Sequence, residues 1–188
     1  MVDSSFFTSS SGGAGGAFEF PEIYSYPPFF TLQPVKETRE KQLASWRDLI
    51  VKYARSERVF EFDPKTFALF ENKAIQRALN ETARQAIVEN LTERGLCEKA
   101  GGGGGRVHLL WKSLSEWEAY LLDWAHRTGR REDVLTVDEL CTSGELATEE
   151  FHGMTKGLME KVLKRLEKQK KVMLFQGSDQ DDQGVKFL

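Results

Sequence analysis

The 188-residue sequence lacks the residue combinations that enzymes and metal sites need. Its two cysteines, Cys97 and Cys141, lie far apart without a CxxC pair, which argues against a disulfide scaffold and against a zinc site. The three histidines are isolated, and neither a metalloprotease HExxH, a nucleophile-elbow GxSxG nor a phosphate-binding loop occurs. We therefore expect no catalytic residue, no cofactor, no metal ion and no small-molecule substrate.

Long apolar runs and an excess of positive charge are missing as well. No stretch approaches the roughly 18 apolar residues of a membrane-spanning helix, and the first residues do not show the basic and apolar pattern of a secretory signal. The formal net charge of −3 argues against a surface that is built as a whole for nucleic acid. With so few cysteines, these features favour a cytoplasmic protein whose contact with membranes is peripheral.

Aromatic residues, in contrast, crowd into residues 18–36, a segment that we call the arm. Six of the 21 aromatic residues of the chain lie here: Phe18, Phe20, Tyr24, Tyr26, Phe29 and Phe30. Pro27 and Pro28 fix their own backbone angles and extend the residue before them, so a short polyproline II rod is predicted over Tyr26 to Phe29. Two or three buried rings, at roughly 1.5 to 3 kcal/mol each, would anchor such an arm. The rings either complete the core of their own chain or clamp into a partner's groove, and both alternatives stay open.

The first half of the remaining chain shows the element order of a winged helix. Apolar spacing predicts a helix over 38–55, a strand over 58–62 and a short second helix over 74–79. Asn80 is a good cap for a third helix over 81–94. A hairpin over 96–112 follows, and its tip is a pentaglycine loop.

The second half repeats this order. Ser115 with Glu118, and Thr136 with Glu139, read as capping boxes for its first two helices, with a short strand at Val134 and Leu135 between them. Thr155 opens a third helix whose apolar positions share one face: Leu158, Met159, Val162, Leu163 and Leu166. A second hairpin closes the chain, with strands over 171–176 and 185–188 around a polar loop.

The sequence therefore predicts an α+β, mainly helical chain with two winged-helix domains in tandem. We assign residues 1–17 to a disordered Ser/Gly tail, 18–36 to an extended partner-binding arm, 37–113 to the first domain and 114–188 to the second. The linker between the domains is too short for free tumbling, so the pair is expected to be semi-rigid.

One helix favours a nucleic-acid alternative. Residues 155–171 carry seven Lys or Arg against two Glu, a net charge of +5 on the helix that winged-helix proteins commonly insert into the major groove. The acidic block 132–151, with seven negative charges, is expected to lie beside this helix and partly neutralise it. The matching helix 81–94 has a net charge of −1, which repels phosphate. A transcription-related nucleic-acid binder thus stays open, beside ordinary solvated lysines and a protein-docking face.

Several motifs carry a resemblance to a known family. They are Phe18-Glu19-Phe20-Pro21, Tyr26-Pro27-Pro28-Phe29-Phe30-Thr31-Leu32-Gln33-Pro34, Thr38-Arg39 with Lys41-Gln42-Leu43-Ala44, Glu149-Glu150-Phe151-His152-Gly153 and Gly184-Val185-Lys186-Phe187. Together they resemble the small tandem winged-helix subunits of the ESCRT-II complex. The likeness extends from about Phe18 to Leu188.

The resemblance implies an adaptor without enzymatic activity. In that family, two copies of this subunit join two larger winged-helix subunits through a Pro-Pro-x-Tyr or Pro-Pro-x-Phe motif that enters hydrophobic pockets. Here the motif is Pro27-Pro28-Phe29-Phe30. The arm residues expected to contact the larger subunits are Phe18, Phe20, Tyr24, Tyr26, Pro27, Pro28, Phe29 and Phe30.

The resemblance implies a second contact as well. The second winged helix of the family recruits an ESCRT-III subunit through the first helix of that subunit, for multivesicular-body sorting of ubiquitinated membrane proteins. By analogy we expect the contact face at Val134, Leu135, Thr136, Asp138 and Glu139. The acidic block 132–151 would complement a basic ESCRT-III helix. The protein is accordingly expected in the cytoplasm, recruited to endosomal membranes through the complex.

Overall fold

A computed structural model describes residues 18–101, 104–131, 133–176 and 183–188. Its helices are α1 (Lys36–Glu57), α2 (Glu81–Glu93), α3 (Leu114–Arg127), α4 (Val137–Thr142) and α5 (Lys156–Lys168). Its strands are β1 (Glu61–Phe62), β2 (Glu71–Asn72), β3 (Arg77–Ala78), β4 (Cys97–Lys99), β5 (Val107–Leu109), β6 (Val134–Thr136), β7 (Val172–Gln176) and β8 (Gln183–Phe187). The predicted tail, residues 1–17, and the loop 177–182 lie outside the described residues, as do two glycines of the first hairpin tip.

The strands form small antiparallel sheets that repeat one arrangement. The first sheet has the order β1–β5–β4 and the second the order β6–β8–β7, so in each the second strand of the hairpin also pairs with the first strand of that half of the chain, β1 or β6. Strands β2 and β3 form a separate pair. The helical and mixed character predicted from the periodicity is confirmed.

Two of the predicted helix caps are confirmed. The Asn80 side chain accepts a hydrogen bond from the Ala83 N–H at 2.8 Å and opens α2. Thr136 and Glu139 form the reciprocal pair of a capping box at the start of α4. Both helices therefore begin directly after the capping residue that the sequence indicates.

The predicted capping box of α3 is wrong by two residues. Ser113 caps the helix and Glu116 is its reciprocal partner, whereas Ser115 and Glu118 lie inside the helix. The motif Ser-x-x-Glu occurs twice with an offset of two residues, so local sequence does not decide between the two frames. Glu118 is buried and forms an ion pair with Arg165 of α5, so it is not available as a capping residue.

The predicted second helix over 74–79 is also wrong. Two 3-10 turns, Ala68–Phe70 and Lys73–Ile75, and the β2–β3 pair occupy this region instead. Gln76 has a left-handed backbone with φ of 54°, which ends any helix that starts at residue 73. A run of six residues is too short to form a helix by itself, so packing around it determines its structure.

The predicted polyproline II rod in the arm is a third error. The backbone makes two 3-10 turns, Glu22–Ser25 and Pro27–Phe30, with hydrogen bonds such as Phe29 N–H to Tyr26 O at 2.9 Å. Proline fixes φ at a value that a 3-10 turn accepts as readily as an extended rod does. The choice between the two follows from burial of the rings after the prolines.

Buried apolar side chains form two clusters, one in each half of the chain. The first includes Tyr24, Phe29, Phe30, Trp46, Ile50, Phe70, Ile87, Leu91 and Leu109. The second includes Phe60, Trp117, Leu121, Trp124, Phe151, Leu158, Val162, Leu166 and Phe187. Phe60 lies in the first half of the sequence but packs in the second cluster, so a division at residues 113 and 114 stays a prediction.

An aromatic contact joins the two clusters. The ring of Phe60, just before β1, lies 4.2 Å from the Trp111 ring and 5.9 Å from the Trp117 ring of α3. Trp111 also packs against the first cluster, so it contacts both halves. Apolar surface shared in this way resists reorientation of one half against the other.

Polar contacts support the same junction. The Arg58 guanidinium donates to the Ala147 carbonyl at 2.6 Å, and the Lys112 ammonium lies 2.5 Å from the Glu150 carboxylate. Lys112 also lies over the Trp117 ring at 5.3 Å. These contacts connect the end of α1 and the end of the first hairpin with the segment between α4 and α5.

Truncating an arm ring is expected to destabilise the fold. Phe29 is 3% exposed and stacks on Trp46 with ring centroids 4.3 Å apart, so Phe29→Ala is expected to lower the free energy of unfolding by about 3 to 5 kcal/mol. The control is Tyr26→Ala, whose ring is 58% exposed, with an expected change of about 0.5 kcal/mol or less. Urea denaturation measures both. Equal stabilities of the two variants would show that the arm rings are not part of the core.

The junction is expected to make both halves tumble as one body. Nitrogen-15 relaxation of the native chain should give one rotational correlation time for both halves. Phe60→Ala removes the ring between the clusters and should give each half a shorter time of its own. Phe62→Ala deletes the same atoms from the first cluster, where Phe62 is 3% exposed, and should keep common tumbling. Independent tumbling of the native halves would contradict the shared junction.

Candidate functional site

Three rings of the arm point into the first cluster. Tyr24, Phe29 and Phe30 are 8%, 3% and 3% exposed. Phe29 stacks on the Trp46 ring and Phe30 meets the same ring edge-on at 5.4 Å. Burial raises the pKa of the Tyr24 hydroxyl to about 12, and this hydroxyl donates to the Glu71 carbonyl at 3.0 Å. These rings complete the core of their own chain, which was one of the two alternatives for the arm.

Side chains of the first half also hold the arm backbone. The Trp46 indole N–H donates to the Phe29 carbonyl at 3.0 Å, and the Gln42 amide donates to the same carbonyl at 2.9 Å. The Asn72 amide donates to the Tyr24 carbonyl at 2.8 Å. Buried polar groups that are paired in this way fix the path of the chain, because breaking one leaves a partner unsatisfied. The arm is therefore anchored through its backbone as well as its rings.

The other side of the arm is exposed and apolar. Phe20, Ile23 and Tyr26 are 45%, 39% and 58% exposed, and Pro27 and Pro28 are exposed beside them. We call these five residues the arm ridge. The remaining predicted arm residue, Phe18, is half-buried edge-on against Tyr53 of α1.

Sequence reasoning missed Ile23, because it looked for rings and prolines. Ile23 lies inside the 3-10 turn Glu22–Ser25, whereas Phe20 and Tyr26 flank that turn. A spacing of three residues joins Phe20, Ile23 and Tyr26 but continues to Phe29, which is buried. The spacing in the sequence therefore does not separate the ridge from the core.

The ESCRT-III contact face predicted in the second half also contains both exposed residues and residues engaged within the fold. Val134 is 62% exposed, whereas Leu135 packs against the second cluster. Thr136 and Glu139 are engaged in the capping box of α4. Asp138 lies 2.9 Å from the Lys156 ammonium, and its hydrogen bond with that group lowers the pKa of the carboxyl. Four of the five predicted residues thus have a structural partner.

Val134 instead belongs to an exposed apolar face on the second sheet. Val134 and Met173 both pair with the same position of β8, and Phe175 lies two residues after Met173, so their side chains share one side of the sheet. Met173 is 46% and Phe175 is 38% exposed. A Cβ on Gly184 would lie 3.6 Å from Val134 Cγ1 and 3.7 Å from Phe175 Cβ, so this glycine sits between them. We call Val134, Met173 and Phe175 the outer sheet face.

Four of the seven Lys and Arg residues in the basic segment 155–171 form ion pairs with carboxylates. Its ion pairs are Lys156 with Asp138, Lys161 with Glu98, Lys164 with Glu160, and Arg165 with Glu118. Among the described residues, the acidic block contributes Asp138 to these pairs, and the other carboxylates come from β4, α3 and α5 itself. Cations held in this way leave fewer charges for phosphate, and the nucleic-acid alternative is not favoured.

Metal binding finds no support among residues 18–101, 104–131, 133–176 and 183–188. No group of three or more His, Cys, Asp or Glu side chains in these ranges could hold a metal ion. Cys97 and Cys141 are free and buried in different clusters, and burial raises the pKa of each thiol to about 12. No helix in the described part of the chain combines the length and the apolar character that crossing a bilayer requires.

Comparison with known proteins gives one consistent family. Residues 23–155 match the family described as ESCRT-II complex subunit. Vacuolar protein sorting-associated protein 25 of Arabidopsis thaliana is 36% identical over 171 residues, which cover 90% of this chain and 96% of that protein. The protein of the same name in Homo sapiens is 32% identical over 175 residues, covering 92% and 98%.

Solved structures agree with this family. The crystal structure of subunit VPS25 of the endosomal trafficking complex ESCRT-II superposes with a TM-score of 0.80 at 29% identity, covering 88% of this chain and 97% of that chain. A chain of the endosomal complex ESCRT-II (VPS22/VPS25/VPS36) superposes with a TM-score of 0.77 at 28% identity, covering 89% and 98%. The predicted tandem winged-helix fold is confirmed. The chain belongs to the vacuolar protein sorting-associated protein 25 family of subunits of the endosomal trafficking complex ESCRT-II, as its motifs predicted.

Proposed function

We propose that the chain is a non-enzymatic adaptor that docks onto the larger ESCRT-II subunits through the arm ridge. The observation that carries this proposal is the exposed apolar side of an arm whose other side is anchored in the core. A similar structure contains VPS22 and VPS36 beside VPS25, so the partners here are the homologues of those two subunits. Exposed aromatic side chains at the centre of an interface commonly contribute most of its binding energy.

Anchoring of the arm favours docking. The ridge is held by the Trp46 and Gln42 hydrogen bonds and by the inward rings, so little conformational freedom remains for a partner to remove. Within the Pro27-Pro28-Phe29-Phe30 motif, the prolines contact the partner and the two phenylalanines hold the turn in place. The family motif thus acts through two different sides of one turn.

We further propose that the outer sheet face recruits the first helix of an ESCRT-III subunit. Val134, Met173 and Phe175 present apolar surface that the fold leaves uncovered, and an amphipathic helix buries its apolar stripe against such a surface. Because Asp138 and Glu139 have partners of their own, they contribute less than the apolar residues. The chain then connects ESCRT-II with ESCRT-III in the cytoplasm and reaches endosomal membranes as part of the complex.

Charge introduced on the arm ridge is expected to prevent docking. Ile23→Asp places a carboxylate in the apolar ridge and should weaken binding to the two larger ESCRT-II subunits by about 30-fold or more. The control is Val35→Asp, because Val35 is 62% exposed and lies at the start of α1, outside the ridge. Isothermal titration with the purified larger subunits measures both. If Ile23→Asp binds as tightly as the control while melting at the native temperature, the ridge is not the docking surface.

The outer sheet face has its own test. Phe175→Asp is expected to weaken binding of a peptide with the sequence of the first helix of an ESCRT-III subunit by about tenfold or more. Asp138→Asn should change this affinity less than about threefold, because Asp138 is already paired with Lys156. Ile23→Asp should bind the peptide normally. A loss in Asp138→Asn with full binding by Phe175→Asp would place the contact on α4 instead.

A further inference from the structure

A third surface is separate from the arm ridge and the outer sheet face. A groove of about 990 Å³ lies between α2, the loop after β1 and the strands β4 and β5 of the first sheet. Pro64 of the loop, Val88 of α2 and Val107 of β5 supply its apolar lining. Along α2 it extends from Glu81 to Glu93, about 18 Å at the rise of an α-helix.

The α2 wall of this groove is acidic. Glu81, Glu89 and Glu93 line it, and none of them has an ion-pair partner within the part of the chain that the structure describes. Their spacing of eight and four residues places the three carboxylates on one side of the helix. Arg84 is the cation on this wall, and its guanidinium donates to the Lys65 carbonyl at 2.5 Å. Three carboxylates against one cation leave a net charge of −2.

The opposite wall has the opposite sign. Asp63 and Lys65 in the loop and Lys99 at the end of β4 line it, which leaves a net charge of +1. Neither lysine has an ion-pair partner among the described residues. An apolar floor therefore separates a negative wall from positive groups. This charge pattern is directional, since it specifies which edge of an occupant faces which wall.

We propose that this groove binds an amphipathic helix of a partner protein, with basic residues along one edge and acidic residues along the other. Its apolar stripe lies against Pro64, Val88 and Val107, its basic edge faces the carboxylates of α2, and its acidic edge faces Lys65 and Lys99. Winged helices commonly present this side of the fold to the major groove of DNA. Here the α2 carboxylates repel phosphate, so the surface suits a protein helix rather than nucleic acid.

The test uses the full chain and a synthetic 18-residue peptide. The peptide carries a leucine stripe, lysines along one edge and glutamates along the other, and a scrambled peptide of the same composition is the control. Amide chemical shifts locate the contact, and fluorescence anisotropy measures affinity. We expect shifts at α2, Pro64's neighbours and the β4–β5 strands, saturable binding that weakens with salt, and weaker binding of the scrambled peptide.

Matched variants separate a specific contact from general attraction. Glu93 and Glu57 are both exposed and both end a helix of the first half, so Glu93→Lys and Glu57→Lys change net charge equally. Glu93→Lys should weaken the affinity for the peptide about fivefold, and Glu57→Lys should leave this affinity unchanged. Ile23→Asp and Phe175→Asp should also bind the peptide normally, so failure of the docking proposals above is distinguishable from failure here.

Other outcomes would overturn the proposal. Equal losses in the two lysine variants, equal binding of the scrambled peptide, or shifts confined to the second half would show that the groove does not select such a helix. Binding of a 16-base-pair duplex with shifts at α2 would assign the groove to nucleic acid. Shifts at α2 that grow with protein concentration alone would assign it to a second copy of the chain.

Discussion

The packing of Trp46 against the arm is the contact on which the rest of the molecule depends. Its ring stacks on Phe29, meets Phe30 edge-on and, through its indole N–H, holds the Phe29 carbonyl. One residue of α1 thus fixes both the rings and the backbone of a segment that has only two short 3-10 turns of its own. Gln42 and Asn72 hold the same segment beside Trp46, and the arm ridge depends on these contacts because 3-10 turns of four residues are not stable alone.

Elements with a repeating apolar face or a local capping signal could be predicted from the sequence. The five apolar positions of α5 and the caps of α2 and α4 are where periodicity and capping chemistry placed them. Features whose local signal is absent or ambiguous could not be predicted, since tertiary contacts outweigh a weak local preference. Gln76 has a left-handed backbone within the predicted helix over 74–79, and Glu118 pairs with Arg165 of α5 instead of capping α3.

The candidate sites show the same limit at the level of side chains. The sequence identified the arm as unusual, but six rings on an irregular segment have no period that separates inward from outward positions. In the structure, Phe29 and Phe30 pack against Trp46 and are buried in the core, so they are inward positions. Met173 and Phe175 were missed for a related reason, since alternation along β7 identifies two faces but not which of them the core covers.

Coupling between stability and assembly follows from an arm with two sides. A subunit that binds the ridge binds only chains whose arm is docked on Trp46, so occupancy of the ridge stabilises the docked arm by mass action. The apparent affinity of the ridge falls in proportion to the fraction of chains with a docked arm. Under the proposed docking, inward residues such as Phe29 are expected to influence partner binding without touching the partner, whereas ridge residues are expected to influence it directly. Substitutions on the inward side are expected to change stability and affinity together. Substitutions on the ridge are expected to change affinity alone.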